Sequence, residues 1–253
     1  MGQLQVDTTP PNTRYKSQNL GTWSSAVDVD DFLYRCCHDT GYYGATIGSY
    51  VTINDGSYNK QWVIAGFDCE KNHKASDGSI RDNGYGICLI PKSSLGSVMW
   101  DYGDNNTNYG YYGSTMNKTT LPEVANNLKK ILGDHLVQRN VLLSDDTGYD
   151  NEHANSYVWT TAHCTLMSAG QVTGTFASNN NKYDDGEANY KLPLFNYESW
   201  SFVDDHVWLR GIYGYDKKNN YHHSVYIIFR SSGNLDCYYC KVTNALCPLI
   251  YIR

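Results

Sequence analysis

Apolar and polar positions alternate with different periods along the chain, and each period predicts an element. Between Ser25 and Tyr34, the residues Val27, Val29, Phe32 and Leu33 gather on one side of a short helix. Tyr50-Val51-Thr52-Ile53 and the run Gln61 to Phe67 read as strands around Asn54-Asp55-Gly56, a strong hairpin signal. Turns at Asp77-Gly78-Ser79 and Asp82-Asn83-Gly84 precede a further strand from Gly86 to Pro91, and residues 101 to 114 form a Tyr/Asn/Gly loop. The clearest helical period follows. Val124, Leu128, Ile131 and Leu132 line one face, with Thr120 placed to cap it, Pro122 in its first turn and Gly133 to end it. A second helix is predicted from Thr161 through Ala169, with His163, Leu166 and Met167 on one side.

Beyond residue 205 the pattern reads as strands at 206–212, 223–230, 235–242 and 247–252, with Ser231-Ser232-Gly233-Asn234 as a tight turn. From His223 to Arg230, alternation places Val225, Ile227 and Phe229 on a core face. Ser224, Tyr226, Ile228 and Arg230 fall on the other. Two helices and several short strands without βαβ alternation predict the α+β class.

Composition narrows the class further. At 253 residues the chain can bury a sizeable core, and 18% charged residues beside 23 Tyr and 22 Gly argue for ordered loops rather than disorder. A net charge of −6, with scattered Lys and Arg, leaves no track for a phosphate backbone, so no nucleic acid is expected as a partner. No apolar run is long enough to span a membrane, and none is expected to insert. Met1 to Asp7 lacks the basic and apolar regions of a secretory signal peptide, which predicts synthesis in the cytoplasm. Pro10 and Pro11 hold the start extended, and residues 1–44 are predicted as an N-terminal arm or attachment segment preceding a ligand-binding domain at 45–253.

Candidate chemistry is sparse. The eight cysteines are irregularly spaced and read as reduced, buried small hydrophobes. Cys237-Tyr238-Tyr239-Cys240 has the CxxC spacing, yet a redox pair would open a helix and a zinc site needs two more ligands, for which Cys247 is the one candidate. His222 and His223 are neighbours on a strand, so they point to opposite faces and cannot share a metal. Asp145-Asp146, Asp184-Asp185-Gly186-Glu187 and Asp204-Asp205 read as solvated loop ends, with a structural cation on Asp184, Asp185 and Glu187 as the alternative for the second. There is no Gly-x-Ser-x-Gly elbow, calcium loop or Walker-type loop. No catalytic residue, metal or cofactor is expected.

The C-terminal stretch is composed differently. An apolar frame (Val207-Trp208-Leu209-Arg210, Val225 to Arg230, Pro248 to Ile252) holds two polar inserts, residues 213–223 and 235–241, rich in Tyr, Asn, Asp and His. Tyrosine supplies large amphipathic contact area with few rotatable bonds, and short polar residues supply adaptable hydrogen bonds, which is how a binding surface is composed.

On Trp208-Leu209-Arg210-Gly211, the polar tract, Gly233-Asn234 and Cys247-Pro248-Leu249-Ile250-Tyr251-Ile252, the chain resembles the C-type-lectin-fold variable proteins of diversity-generating retroelements and related phage tail proteins. Ile47-Gly48-Ser49-Tyr50-Val51, Gln61 to Asp68 and Trp159-Thr160-Thr161-Ala162 extend the resemblance over roughly residues 45–253. It implies a C-type-lectin-like fold, shared with formylglycine-generating enzymes, that presents diversified loops over about 208–247. In that family adenine replacement in Asn codons reaches Tyr, His, Asp, Ser, Cys and Gly, but not Lys. The implied ligand surface is therefore Tyr213, Tyr215, Asp216, Asn219, Asn220, Tyr221, His222, His223, Tyr226, Asp236, Tyr238 and Tyr239. Trp208, Leu209, Arg210, Gly233 and Pro248 are the implied scaffold, and Lys217, Lys218 and Lys241 are fixed. Gly211 stands where the family has Ser, and Cys247 where it has Arg. The calcium-dependent sugar motifs of true C-type lectins and the Arg-Gly-Gly-Ser-Trp and Gly-Phe-Arg signatures of formylglycine-generating enzymes are missing.

The resemblance implies a non-enzymatic receptor-binding protein of a phage tail tip or fibre, located in the virion. Its partners would be a protein or glycan receptor on a bacterial surface, other tail proteins through the N-terminal segment, and copies of itself, as a trimer. The alternatives are an oxidase of formylglycine-generating type using Cys237, Cys240 or Cys247, and a structural virion protein whose tyrosine-rich surface joins subunits.

Overall fold

Asn54-Asp55-Gly56 closes a hairpin as its pattern predicts, and the largest sheet grows outward from it. In a computed structural model the described residues are 12–39, 41–75, 77–101, 110–146, 156–174, 190–197, 206–216, 221–228 and 235–253. The strands are β1 (Asn19–Trp23), β2 (Tyr50–Asn54), β3 (Asn59–Phe67), β4 (Asn72–Lys74), β5 (Ile80–Asp82), β6 (Ile87–Pro91), β7 (Ser97–Met99) and β8 (Arg139–Asp146). They continue as β9 (Ser156–Ala162), β10 (Cys164–Thr165), β11 (Val207–Asp216), β12 (Tyr221–Ile228), β13 (Leu235–Tyr239), β14 (Thr243–Ala245) and β15 (Leu249–Ile252). The α-helices are α1 (Ala26–His38), α2 (Gly110–Gly113), α3 (Leu121–Leu132) and α4 (Ala169–Thr173). Several small sheets with few helices make the class α+β.

A six-stranded sheet runs β1-β2-β3-β6-β15-β10, and a five-stranded sheet runs β13-β12-β11-β14-β7. In the β2–β3 hairpin, Asn54 faces Asn59, and Asp55 Oδ1 accepts the amides of Ser57 (2.9 Å) and Tyr58 (2.7 Å). The chain's C-terminal strand β15 lies inside the first sheet between β6 and β10, while β14, just before it, belongs to the second. The short span Leu246 to Pro248 thus ties the two sheets together, and all three residues are buried. Trp62, Trp100 and Trp208 are fully buried members of one core. The expected boundary at residue 44 falls within this core. β1 pairs in parallel with β2, and Trp23, Val29, Phe32 and Cys36 are buried with the residues after it. Residues 1–11 lie outside the described residues.

Four local expectations are corrected. Helix α1 forms and runs on to His38, but Val27 is 75% exposed, and the inward stripe is Val29, Phe32 and Cys36. That spacing of three and four is the true helical repeat, whereas Val27 and Val29 two apart cannot share a face. Asp28 Oδ2 accepts the amides of Ser24 (2.7 Å) and Ser25 (2.9 Å) and closes the helix start. Thr120 does not cap α3, because a π-helical turn, Met116–Thr120, runs straight into it. That turn is pinned by the buried Met116, whose amide donates to Trp100 O (3.1 Å).

The predicted helix over 161–169 is absent. Thr161 lies in β9, paired with Asn140 of β8, and Thr165 in β10 pairs with Leu249. Tyr157 to Thr161 is β-branched and aromatic, and pairing satisfies that preference. The helix starts instead at Ala169, where Ser168 Oγ accepts the Gln171 amide (3.1 Å) and Gln171 Oε1 accepts the Ser168 amide (2.8 Å). Lastly, β13 stops at Tyr239, since Cys240 O turns away to accept the amides of Trp100 (3.0 Å) and Asp101 (3.2 Å). The Ser231–Asn234 turn lies outside the described residues. Of the predicted 101–114 loop, Gly110–Gly113 is a helical turn. Gly110 has φ +60°, and a Cβ there would fall 2.2 Å from Ser144 O.

Candidate ligand-display surface

The root of β11 is immobilised from several directions. Trp208, Leu209 and Arg210 each have no exposed surface. Trp208 Nε1 donates to Val98 O on β7 (2.7 Å), and Trp100 Nε1 donates to Leu209 O (3.1 Å). The Arg210 amide donates to Met167 O (3.0 Å), and its guanidinium Nη1 donates to Leu166 O (3.4 Å). The expected scaffold residues Trp208, Leu209, Arg210 and Pro248 are therefore all buried. Gly233 lies outside the described residues.

Beyond this root β11 departs from regular pairing. Trp208 faces Ile227 and Ile212 faces Val225, so four steps along β11 meet two along β12. Further register shifts fall between Ile212 and Gly214 and between Gly214 and Asp216. Such bulges bend a strand and raise its twist, and here they occur in the stretch that carries the Tyr/Asp/His insert.

Pairing brings most of the expected surface together. Tyr213, Tyr215 and Asp216 lie on β11, Tyr221, His222, His223 and Tyr226 on β12, and Asp236, Tyr238 and Tyr239 on β13. Asp216 faces Tyr221, Tyr226 faces Cys237, Val225 faces Tyr238, Ser224 faces Tyr239 and Ile227 faces Asp236. Opposed positions share a face. Asp236 and Tyr238 therefore share the face of Val225 and Ile227, which alternation assigned to the core, while Tyr226 and Tyr239 take the other. What unites the set is the outer part of the β11–β12–β13 ribbon rather than one face. Tyr238 is 37% exposed, with its ring 5.9 Å from that of His206. Asn219 and Asn220 lie outside the described residues.

The cysteines follow the hydrophobic expectation with two departures. Cys36, Cys88, Cys164, Cys240 and Cys247 are buried and free, whereas Cys37 is exposed and Cys69 half-buried. Burial pushes the Cys240 thiol up to about 11 and raises Cys247 further, so both are protonated at neutral pH. Among the described residues no three His, Cys, Asp or Glu side chains cluster as metal ligands. Asp184, Asp185 and Glu187 lie outside the described residues. No helix among the described residues is long and apolar enough to cross a membrane.

A buried ionic cluster went unread in the sequence. Glu70, His73, Arg139 and Gln171 are essentially inaccessible and meet around the Glu70 carboxylate. Arg139 Nη1 is 3.0 Å from Glu70 Oε2 as an ion pair without hydrogen-bond alignment, and His73 Nδ1 is 3.2 Å from the same oxygen. Gln171 Nε2 donates to Glu70 Oε1 (2.6 Å), and the Tyr190 hydroxyl donates to it as well. Arg139 Nη2 also donates to Thr165 Oγ1. The Leu142 amide donates to His73 Nε2 (3.4 Å), which leaves the imidazole proton on Nδ1, facing Glu70. Burial alone would raise the Glu70 carboxyl. Arg139, with the bonds from His73 and Tyr190, instead holds it below the usual carboxylate range. Burial pushes His73 down, and the nearby Arg210 and Arg139 charges add to this against the pull of Glu70. Arg210 thus links this cluster to the root of β11. Its members are scattered from residue 70 to 210 with no shared spacing, so no local signal could have found them.

The chain matches no family model, no curated protein and no solved structure at a significant level.

Proposed function

We propose that the protein is a non-enzymatic receptor-binding protein that displays a diversified surface on the β11–β12–β13 ribbon. One observation carries the reading. A strand root with no exposed surface at Trp208, Leu209 and Arg210 leads directly into a bulged ribbon whose three strands carry ten of the twelve positions expected to contact a ligand. A frame held this firmly can accept replacement of the outer residues without losing its fold. The α+β arrangement is compatible with a C-type-lectin-like fold, and the protonated, buried Cys240 and Cys247 favour binding over an oxidase using those thiols. The setting we propose is a phage tail tip or fibre. There, copies of the chain, as a trimer, would multiply weak contacts to a protein or glycan on the host surface.

The neighbouring DNA tests the reading directly. It should hold a near-copy of the codons for about residues 208–247 that differs mainly at adenines, beside a reverse-transcriptase gene. A locus with neither removes the retroelement origin. In that case diversification of Tyr213 to Tyr239 has no source.

A further inference from the structure

We infer that a second, separate site between α3 and β9 binds an acidic sugar unit. This inference does not depend on the display ribbon. A cavity of about 310 Å³ opens there, lined by Tyr112, Asn117, Lys118, Leu121, Pro122, Ala125, Asn126, Gln138 and the run Thr160 to Cys164. Its volume is at the small end of the roughly 300–1,000 Å³ found for ligand pockets.

The lining selects the ligand by chemistry. Leu121, Pro122, Ala125 and Ala162 offer an apolar wall, and Asn117, Asn126, Gln138, Thr160 and Thr161 carry groups that both donate and accept. A sugar ring has the same two-sided character, with apolar C–H faces and hydroxyls that donate and accept. Among the described residues no carboxylate lines the cavity, and the cation there is Lys118. Lys118 Nζ stands 3.4 Å from the centroid of the Tyr112 ring, and a cation–π contact of that kind holds the ammonium in place. Asn117 Nδ2 donates to Tyr112 O (2.9 Å), fixing the turn that carries both. His163 adds a second donor. Its Nδ1 is buried without a hydrogen-bond partner among the described residues, so the tautomer with the proton on Nε2 avoids an unpaired buried N–H and leaves Nε2–H free to donate. Cys164 is buried with its thiol raised to about 12, and so contributes wall rather than a nucleophile. One fixed ammonium and one imidazole N–H suit a carboxylate, and the amides and hydroxyls around them suit the hydroxyls beside it.

Titration of the full chain with glucuronic and galacturonic acid, followed by NMR shifts, tests this. Saturable binding with a Kd on the order of 1 mM is expected for a ligand of this size, with glucose, galactose and acetate at least tenfold weaker. Lys118→Gln should weaken the acidic sugars about tenfold and leave the neutral ones unchanged. Thr161→Trp, at an exposed position, should fill the cavity mouth and abolish binding in a folded protein, checked by its unaltered spectrum elsewhere. A galacturonate oligomer binding more tightly than the monomer would identify a polysaccharide source, and equal binding a free sugar acid. The inference is overturned if no sugar acid saturates, if acetate binds as well, or if both variants bind like the parent. None of these results bears on the display ribbon.

Discussion

The root of β11 and the edge strand β13 belong to one sheet yet obey different rules. At the root, Trp208, Leu209 and Arg210 have no exposed surface, and Val98, Leu166 and Met167 accept hydrogen bonds from Trp208 and Arg210. Along β13 and just after it, Tyr238 and Val242 stand more than a third exposed, and Lys241 and Thr243 are exposed beside them. Close packing makes every atom at the root answer to its neighbours, while water tolerates many side chains at the edge. The proposed function, in which contacts vary while the fold is kept, needs both conditions within a few residues.

Breaking the buried ionic cluster should give the largest effect. Glu70→Ala leaves Arg139 charged and uncompensated in the interior, which should lower unfolding free energy by about 3–5 kcal/mol in denaturant titrations. A loss below about 1 kcal/mol would mean the root does not depend on this cluster. Next, Leu209→Ala should remove about 2–5 kcal/mol, since a buried leucine leaves a cavity that its neighbours fill poorly.

Acid sharpens the comparison further. His73 and Glu70 both titrate below their ordinary values of 6.5 and 4.5 in the folded protein. For each, the unfolded chain binds protons first as pH falls, so stability is full above about 6.5 and declines below it. His73 acts first and Glu70 below about 4.5. Melting temperature against pH should show this decline, and His73→Gln should remove its upper part while leaving the lower. The smallest stability effect belongs to the edge. Tyr238→Ala should change unfolding free energy by no more than about 0.5 kcal/mol, and under the proposed function it should abolish binding to the target surface. A loss of several kcal/mol would make Tyr238 a core residue instead.

Much of the scaffold is legible from local pattern. The 50–67 hairpin follows from Asp55-Gly56 between strand-like runs, α3 from its apolar face, and β6 from its continuous apolar run. Legibility failed where two local preferences competed. The stretch 161–169 holds helix-compatible apolar spacing, but Thr160 and Thr161 are β-branched and β8 supplies a partner, so pairing prevails. Thr120 resembles a cap in sequence, yet the chain before it is already helical because Met116 is bound to Trp100.

By itself, then, the sequence determined the α+β class, the buried Trp208-Leu209-Arg210 frame and the polar composition of the inserts, because period, burial preference and turn chemistry act over a few neighbouring residues. Tertiary structure alone decided the rest. It assembled Glu70, His73, Arg139 and Gln171 around one carboxylate and set Asp236 and Tyr238 on the opposite face from Tyr226. It also placed Lys118 and His163 around one cavity. These groups meet through pairing and packing between distant segments, and no periodicity along a chain encodes which strand will lie beside which.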